Sequence, residues 1–246
     1  MKSLFSITLI LCSTFPALTQ ERVLAQTEFD SVFRASRDMW TAWKDKAFRK
    51  TVTVETTSPT RNYKVSRTVE FDGKGASRAV SYEYVEGKEH RIIREIIGVG
   101  SVHYIRDVAR GNWWKTGDTQ LEESPATLAY APDPFEVQAI QAHFVRSKFD
   151  KTSKESSYAF VGADQIKNAP VTVYKATERI EGREKKSGLK METDAAMKYW
   201  FGRDGILVRS ESVSNGHIGK DLYYLKIIAI WELDPSITIT PPVPPT

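Results

Sequence analysis

The chain is expected to fold as an α+β protein: one strongly curved antiparallel β-sheet, an unclosed β-barrel, with two or three helices covering its concave face. Three observations lead there. Apolar residues alternate with polar ones over most of the length, at the period of two that places one side of a strand against a core. A single early segment, residues 28 to 47, instead repeats Phe29, Val32, Phe33, Met39, Trp40 and Trp43 at steps of three, four and seven, which is one face of an amphipathic helix. The last strand, near residues 221 to 232, is apolar on both faces, so it needs packing above and below.

The strands follow in order. Val52 and Val54 alternate with threonines, and a turn at Ser58-Pro59-Thr60-Arg61-Asn62 leads to Tyr63, Val65, Val69 and Phe71. Asp72-Gly73-Lys74-Gly75 is a second turn, after which Val80, Tyr82 and Tyr84 complete a three-stranded meander. From Arg91 to Arg106 two strands bend around Gly98 and Gly100, and Asn112-Trp113-Trp114-Lys115 adds another beyond a turn at Asp107 to Gly111. A loop around 119 to 132 precedes a second helix, where Asp133 can cap and Pro134 suits the first turn, with Phe135, Ile140 and Phe144 on its inner face. Five strands follow, near 157 to 163, 170 to 181, 192 to 202, 205 to 213 and 221 to 232. About ten strands exceed what a flat open sheet sustains, so this one is expected to curl.

The first 25 residues read as a secretory signal peptide: Lys2 gives the positive start, Leu4 to Leu11 the short apolar stretch, and small residues follow. Val23-Leu24-Ala25 fits cleavage after Ala25, and Ala17-Leu18-Thr19 offers an earlier site after Thr19. The domain plan is therefore a signal at 1–25, a single domain at 26–240, and a proline-rich extended tail at 241–246. Cys12 is the one cysteine and lies in the signal; the bulky Leu11 before it does not suit lipidation, so a soluble exported protein, located in the periplasm, is expected.

Composition excludes several functions. The formal charge is +4, and discarding Lys2, Glu21 and Arg22 with the signal lowers it by only one, with no clustering of the kind phosphate backbones demand. No nucleic-acid partner is expected. The densest basic run, Arg183-Glu184-Lys185-Lys186, reads as a solvated loop with weak attraction to anionic headgroups. No two of His90, His103, His143 and His217 sit at metal-ligand spacing, and no serine sits in a nucleophile elbow, so no metal, cofactor or catalytic residue is expected. His103 with Asp107, Glu122-Glu123, and Glu192 with Asp194 are the enzyme-like candidates, and each suits an ordinary strand or solvated face better.

Together the signal, the amphipathic helix and the meander, with Tyr104-Ile105-Arg106, Gly111-Asn112-Trp113, the hairpin from Phe160-Val161-Gly162 to Val173-Tyr174, Trp200-Phe201, Gly205 to Arg209, and the ending Ile237 to Pro242, resemble the LolA-like proteins. That family includes the outer-membrane lipoprotein-sorting carriers and the mycobacterial LppX/LprG lipid-binding lipoproteins. The resemblance covers nearly the whole chain after the signal. It implies an unclosed barrel around helices, a hydrophobic cavity for acyl chains, and a place outside the cytoplasmic membrane in lipid or lipoprotein transport, with no catalytic residue. The expected cavity lining is Trp40, Trp43, Val52, Val54, Val65, Val69, Phe71, Val80, Tyr82, Phe160, Val173, Trp200, Leu225 and Ile227. The expected partners are a lipid or acylated ligand and a membrane-associated delivery protein, around a monomer. The alternative is an envelope sensor or protein-interaction domain of the same fold, for which Trp113-Trp114 would supply surface.

Overall fold

A computed structural model describes residues 21–41, 45–59, 62–84, 91–107, 111–117 and 149–242. In chain order the elements are β1 (Arg22–Leu24), α1 (Gln26–Thr41), β2 (Ala47–Thr57), β3 (Asn62–Asp72), β4 (Ala76–Tyr84), β5 (Arg91–Val99), β6 (Val102–Asp107), β7 (Trp113–Gly117), β8 (Phe149–Ile166), β9 (Ala169–Glu184), β10 (Lys190–Gly202), β11 (Leu207–Ile218) and β12 (Asp221–Leu233). All twelve strands lie in one sheet, in the order β1-β8-β9-β10-β11-β12-β2-β3-β4-β5-β6-β7. Every pairing is antiparallel. Among the described residues the two ends of that order, β1 and β7, do not pair with each other, so the sheet they form is open.

Among the described residues there is one helix, not two or three. The second helix expected from Asp133, with the preceding loop, lies outside the described residues. The first is shorter than its apolar repeat suggested. It ends at Thr41, and Ala47 already belongs to β2, because Phe48, Val52 and Val54 follow the strand period. Its start is fixed locally: Ala25 N–H donates to Glu28 Oε2 at 2.9 Å while Glu28 N–H donates to the Ala25 carbonyl at 3.1 Å. This reciprocal pair works as a capping box does.

The turns follow their residues. Lys167 and Asn168 both have positive φ, 49° and 67°, and connect β8 to β9 in two residues, as the right-handed twist of a hairpin favours. In the β3–β4 turn Asp72 Oδ1 accepts from Lys74 N at 2.7 Å and Ala76 N at 3.0 Å. Gly73, at φ 69°, lies so close to Asp45 that a Cβ there would be 2.7 Å from its carbonyl oxygen, so only glycine fits.

Residues paired across an antiparallel ladder share a face, so the register assigns each side chain a side. One row runs Leu24, Tyr158, Ala176, Met197, Ser212, Ile227, Val54, Val65 across eight strands. A second runs Phe160, Tyr174, Tyr199, Ser210, Ala229, Val52, Arg67. Helix α1 sits on this face. Phe29, 2% exposed, packs on Tyr158 at 4.6 Å between ring centroids, and Phe33 meets Tyr199 at 4.7 Å and Phe201 at 5.2 Å. The buried Ser36 Oγ accepts from Leu207 N–H at 3.0 Å, which ties the helix to the start of β11. The main core therefore gathers Phe29, Phe33, Tyr199, Phe201, Leu207 and Trp231 between the helix and one half of the sheet.

On the opposite face a charge ladder crosses five strands. Asp234 meets Arg49 at 3.2 Å, Arg49 meets Glu70 at 2.8 Å, and Glu70 meets Arg78 at 3.9 Å. Arg78 then holds one oxygen of Glu95 at 2.7 Å and Arg106 the other at 2.6 Å. Hydrogen bonding to Glu70 raises the Arg49 pKa above its ordinary value against the opposing effect of burial. Arg106 in turn lies over the Trp113 ring at 5.1 Å, so Trp113 is a stacked, half-buried side chain.

Candidate functional site

Among the described residues, helix α1 covers part of the face on which it sits, and its aromatic contacts are to side chains of β8, β9 and β10. Beyond them the same face continues over β12, β2 and β3 as an apolar lane of Leu225, Ile227, Val52, Val54, Val65 and Phe71, each only half-buried. Val69 is the fully buried member and forms a second cluster with Ala79, Ile96 and Ile105. Phe71 bridges the clusters, stacked on Phe48 at 4.7 Å.

The fourteen side chains expected to line a cavity divide between the faces. Val52, Val54, Val65, Val69, Phe71, Phe160, Leu225 and Ile227 share the helix-bearing face. Trp40 falls in the last turn of α1, its side chain outside the described residues, as is all of Trp43. Val80 and Tyr82 are in register with Thr68 and Ser66, which puts them on the charge-ladder face. Val173 and Trp200, paired with each other, also point away from the helix, in a third cluster with Val171. There the Trp200 indole N–H donates to Asp164 Oδ2 at 3.1 Å and Arg209 stacks on its ring at 4.9 Å. The Gln165 backbone N–H, then the Trp200 bond, hold the Asp164 carboxyl below the usual carboxylate range.

Polar groups punctuate the lane. Lys50, 6% exposed, lies over the Trp231 ring at 5.6 Å, and Arg67 donates through Nε to Ser81 Oγ at 3.1 Å. Ser210, Ser212 and Ser214 form a stripe on β11 between the helix-covered half and the lane, and Ser212 Oγ is buried with no hydrogen-bond partner among the described residues. Their signal was present as a serine at every second position, but a polar alternation reads as the solvent side of a strand.

The enzyme-like candidates do not converge. His103 is 3% exposed and wedged against Gly98, where a Cβ would sit 3.1 Å from its Cδ2. Glu192 is held by Lys190 and is on the opposite face from the lane. The Lys190 hydrogen bond holds its carboxyl below the ordinary value. Glu122 and Glu123 lie outside the described residues. Among the described residues no three His, Cys, Asp or Glu side chains gather as metal ligands, and no helix is long and apolar enough to cross a membrane.

The arrangement is thus that of an open antiparallel sheet carrying a helix and an apolar lane on one face. It is similar to several solved structures. Against LprF from Mycobacterium bovis the identity is 16% and the TM-score 0.40, covering 87% of this chain and 97% of that one. Against a LolA superfamily protein from Nitrosomonas europaea the values are 8% and 0.28, over 83% and 93%. Against an outer-membrane lipoprotein-sorting domain from Vibrio parahaemolyticus they are 5% and 0.28, over 85% and 94%. No family model and no curated protein matches the chain.

Proposed function

We propose that this protein is an exported carrier that holds a lipid or acyl chain against the lane beside α1, in envelope lipid or lipoprotein trafficking. The observation that carries the reading is the contrast within one sheet face. Where the helix meets the sheet, Phe29, Phe33, Tyr199 and Phe201 are packed to a few per cent exposure, whereas Val52, Val54, Val65, Leu225 and Ile227 stay half-buried. Apolar side chains in that condition gain from a guest. Burial contributes about 0.8 kcal/mol per methylene, so a dozen carbons supply on the order of 10 kcal/mol before the costs of association. The hydroxyl of Ser212 and the cations of Lys50 and Arg67 suit the polar part of such a ligand.

Native mass spectrometry and organic extraction of the purified protein test this directly. The expected result is a co-purifying amphiphile. Placing a carboxylate in the lane with Val54→Asp should weaken its binding by roughly a hundredfold, since an unpaired charge in an acyl site costs about 3 kcal/mol. Protein that arrives empty and takes up no fatty acid or phospholipid would remove the reading.

The proposed export includes a choice of cleavage site. Cutting after Ala25 would delete β1, the buried Leu24 and the Ala25 carbonyl that starts α1, whereas cutting after Thr19 keeps all three. N-terminal sequencing of the exported protein is expected to begin at Gln20. A start at Gln26 would show that the sheet dispenses with its first strand.

A further inference from the structure

We propose that one end of the sheet is a docking surface for anionic phospholipid bilayers. Two neighbouring hairpins form it, the β9–β10 turn at 185–189 and the β11–β12 turn at 219–220. They are joined where Gly219 N–H donates to the Lys190 carbonyl at 2.8 Å, and Leu189 packs against Gly219. The tips present three large apolar side chains to solvent: Leu222 at 74% exposure, Leu189 at 47% and Tyr223 at 38%. Leu222 and Tyr223 are consecutive on β12 and project to opposite faces of the sheet, so an end-on approach to a bilayer engages both, the tyrosine ring settling at headgroup depth.

The charges around them select the kind of bilayer. Arg183, Lys185, Lys186, Lys190 and Lys220 are all exposed at this end. Five acids share this end: Glu184 is half-buried and accepts from Ser187 Oγ, Glu192 is half-buried, held by Lys190 and 3.7 Å from His217, Glu181 is half-buried and held by Arg179, Asp150 pairs in register with Arg183, and Asp221 is exposed. A basic rim around apolar tips complements a negatively charged leaflet, and each Lys or Arg near such a surface adds to the attraction. Tyr223 is also the next residue after Leu225 and Ile227 on the helix-bearing face, so the docking end is where the apolar lane reaches the edge of the protein. The docking surface stands without the lane, because the tips are exposed whatever the lane holds.

Vesicle flotation with the purified protein is the test. Wild type should float with phosphatidylcholine vesicles containing phosphatidylglycerol, and stay behind with pure phosphatidylcholine. Binding should fall roughly tenfold or more in the Leu222→Asn, Tyr223→Asn double variant and again in Lys185→Glu, Lys186→Glu, and raised salt should release wild type. The Val54→Asp variant, which alters the lane alone, should float as wild type does. Equal binding to neutral vesicles, salt-insensitive binding, absence of flotation, or tip variants that float unchanged would each overturn the proposal.

Discussion

Phe29→Ala is expected to lower the unfolding free energy by about 3–5 kcal/mol, the range for truncating a buried aromatic. For a chain of this size that corresponds to a drop in Tm of roughly 10 °C. The reason is the position of the ring. Phe29 contacts Phe33 at 4.8 Å, Tyr158 at 4.6 Å, Tyr199 at 5.9 Å and Tyr174 at 6.5 Å, so one side chain joins the helix to three strands. Its removal leaves a hole that the surrounding rings, fixed by strand backbones, can only partly fill. Phe29→Leu keeps much of the volume and should cost about half as much. Urea titration measures both, and an alanine variant within 1 kcal/mol of wild type would mean that α1 is not held by this aromatic cluster.

The second large effect is expected on the other face, at Glu95. Its side chain is 4% exposed and both oxygens are taken, by Arg78 and Arg106. Glu95→Ala leaves two guanidinium groups facing one another without their shared acceptor. Breaking a buried ion pair from one side commonly costs 3–5 kcal/mol. Here the arginine side chains are 43% and 35% exposed and can rehydrate, so the expected loss is about 2–3 kcal/mol. The loss should change little with added salt, because the carboxylate is out of water. A loss below about 0.5 kcal/mol would show that the ladder contributes nothing net.

Much of this architecture is legible in the residues, and the parts that are not have identifiable causes. The meander from β2 to β4 and the hairpins from β9 to β12 announce themselves because turn residues separate runs of alternating polarity. The first half of β8, with Lys154, Glu155, Ser156 and Ser157, does not: it is polar on both faces and extended because β9 pairs with it. β1 is three residues long and sits inside a segment whose composition suits a leader, so nothing local marks it. The division of the lane residues between faces is likewise hidden. Tyr199, Trp200 and Phe201 are all buried, and the register slips between Trp200 and Phe201, so counting by twos cannot assign Trp200 a side. In β4 the apolar residues Ala79 and Val80 are adjacent, and only the pairing of Ala79 with Val69 sends Val80 to the other face.

The place of β12 has a consequence for how the chain becomes native. The last of these twelve strands to be synthesised lies in the middle of the sheet, between β11 and the early strand β2. Leu233 pairs with Phe48, a contact that spans most of the polypeptide, so the two halves have no shared ladder until the C-terminal residues arrive. Assembly must therefore wait until β12 has been made, and closing so distant a contact makes that step a slow one. Until then the edges of β2 and β11 stand unpaired, and a chain threaded from its N-terminus stays vulnerable to aggregation for as long as its tail is held back.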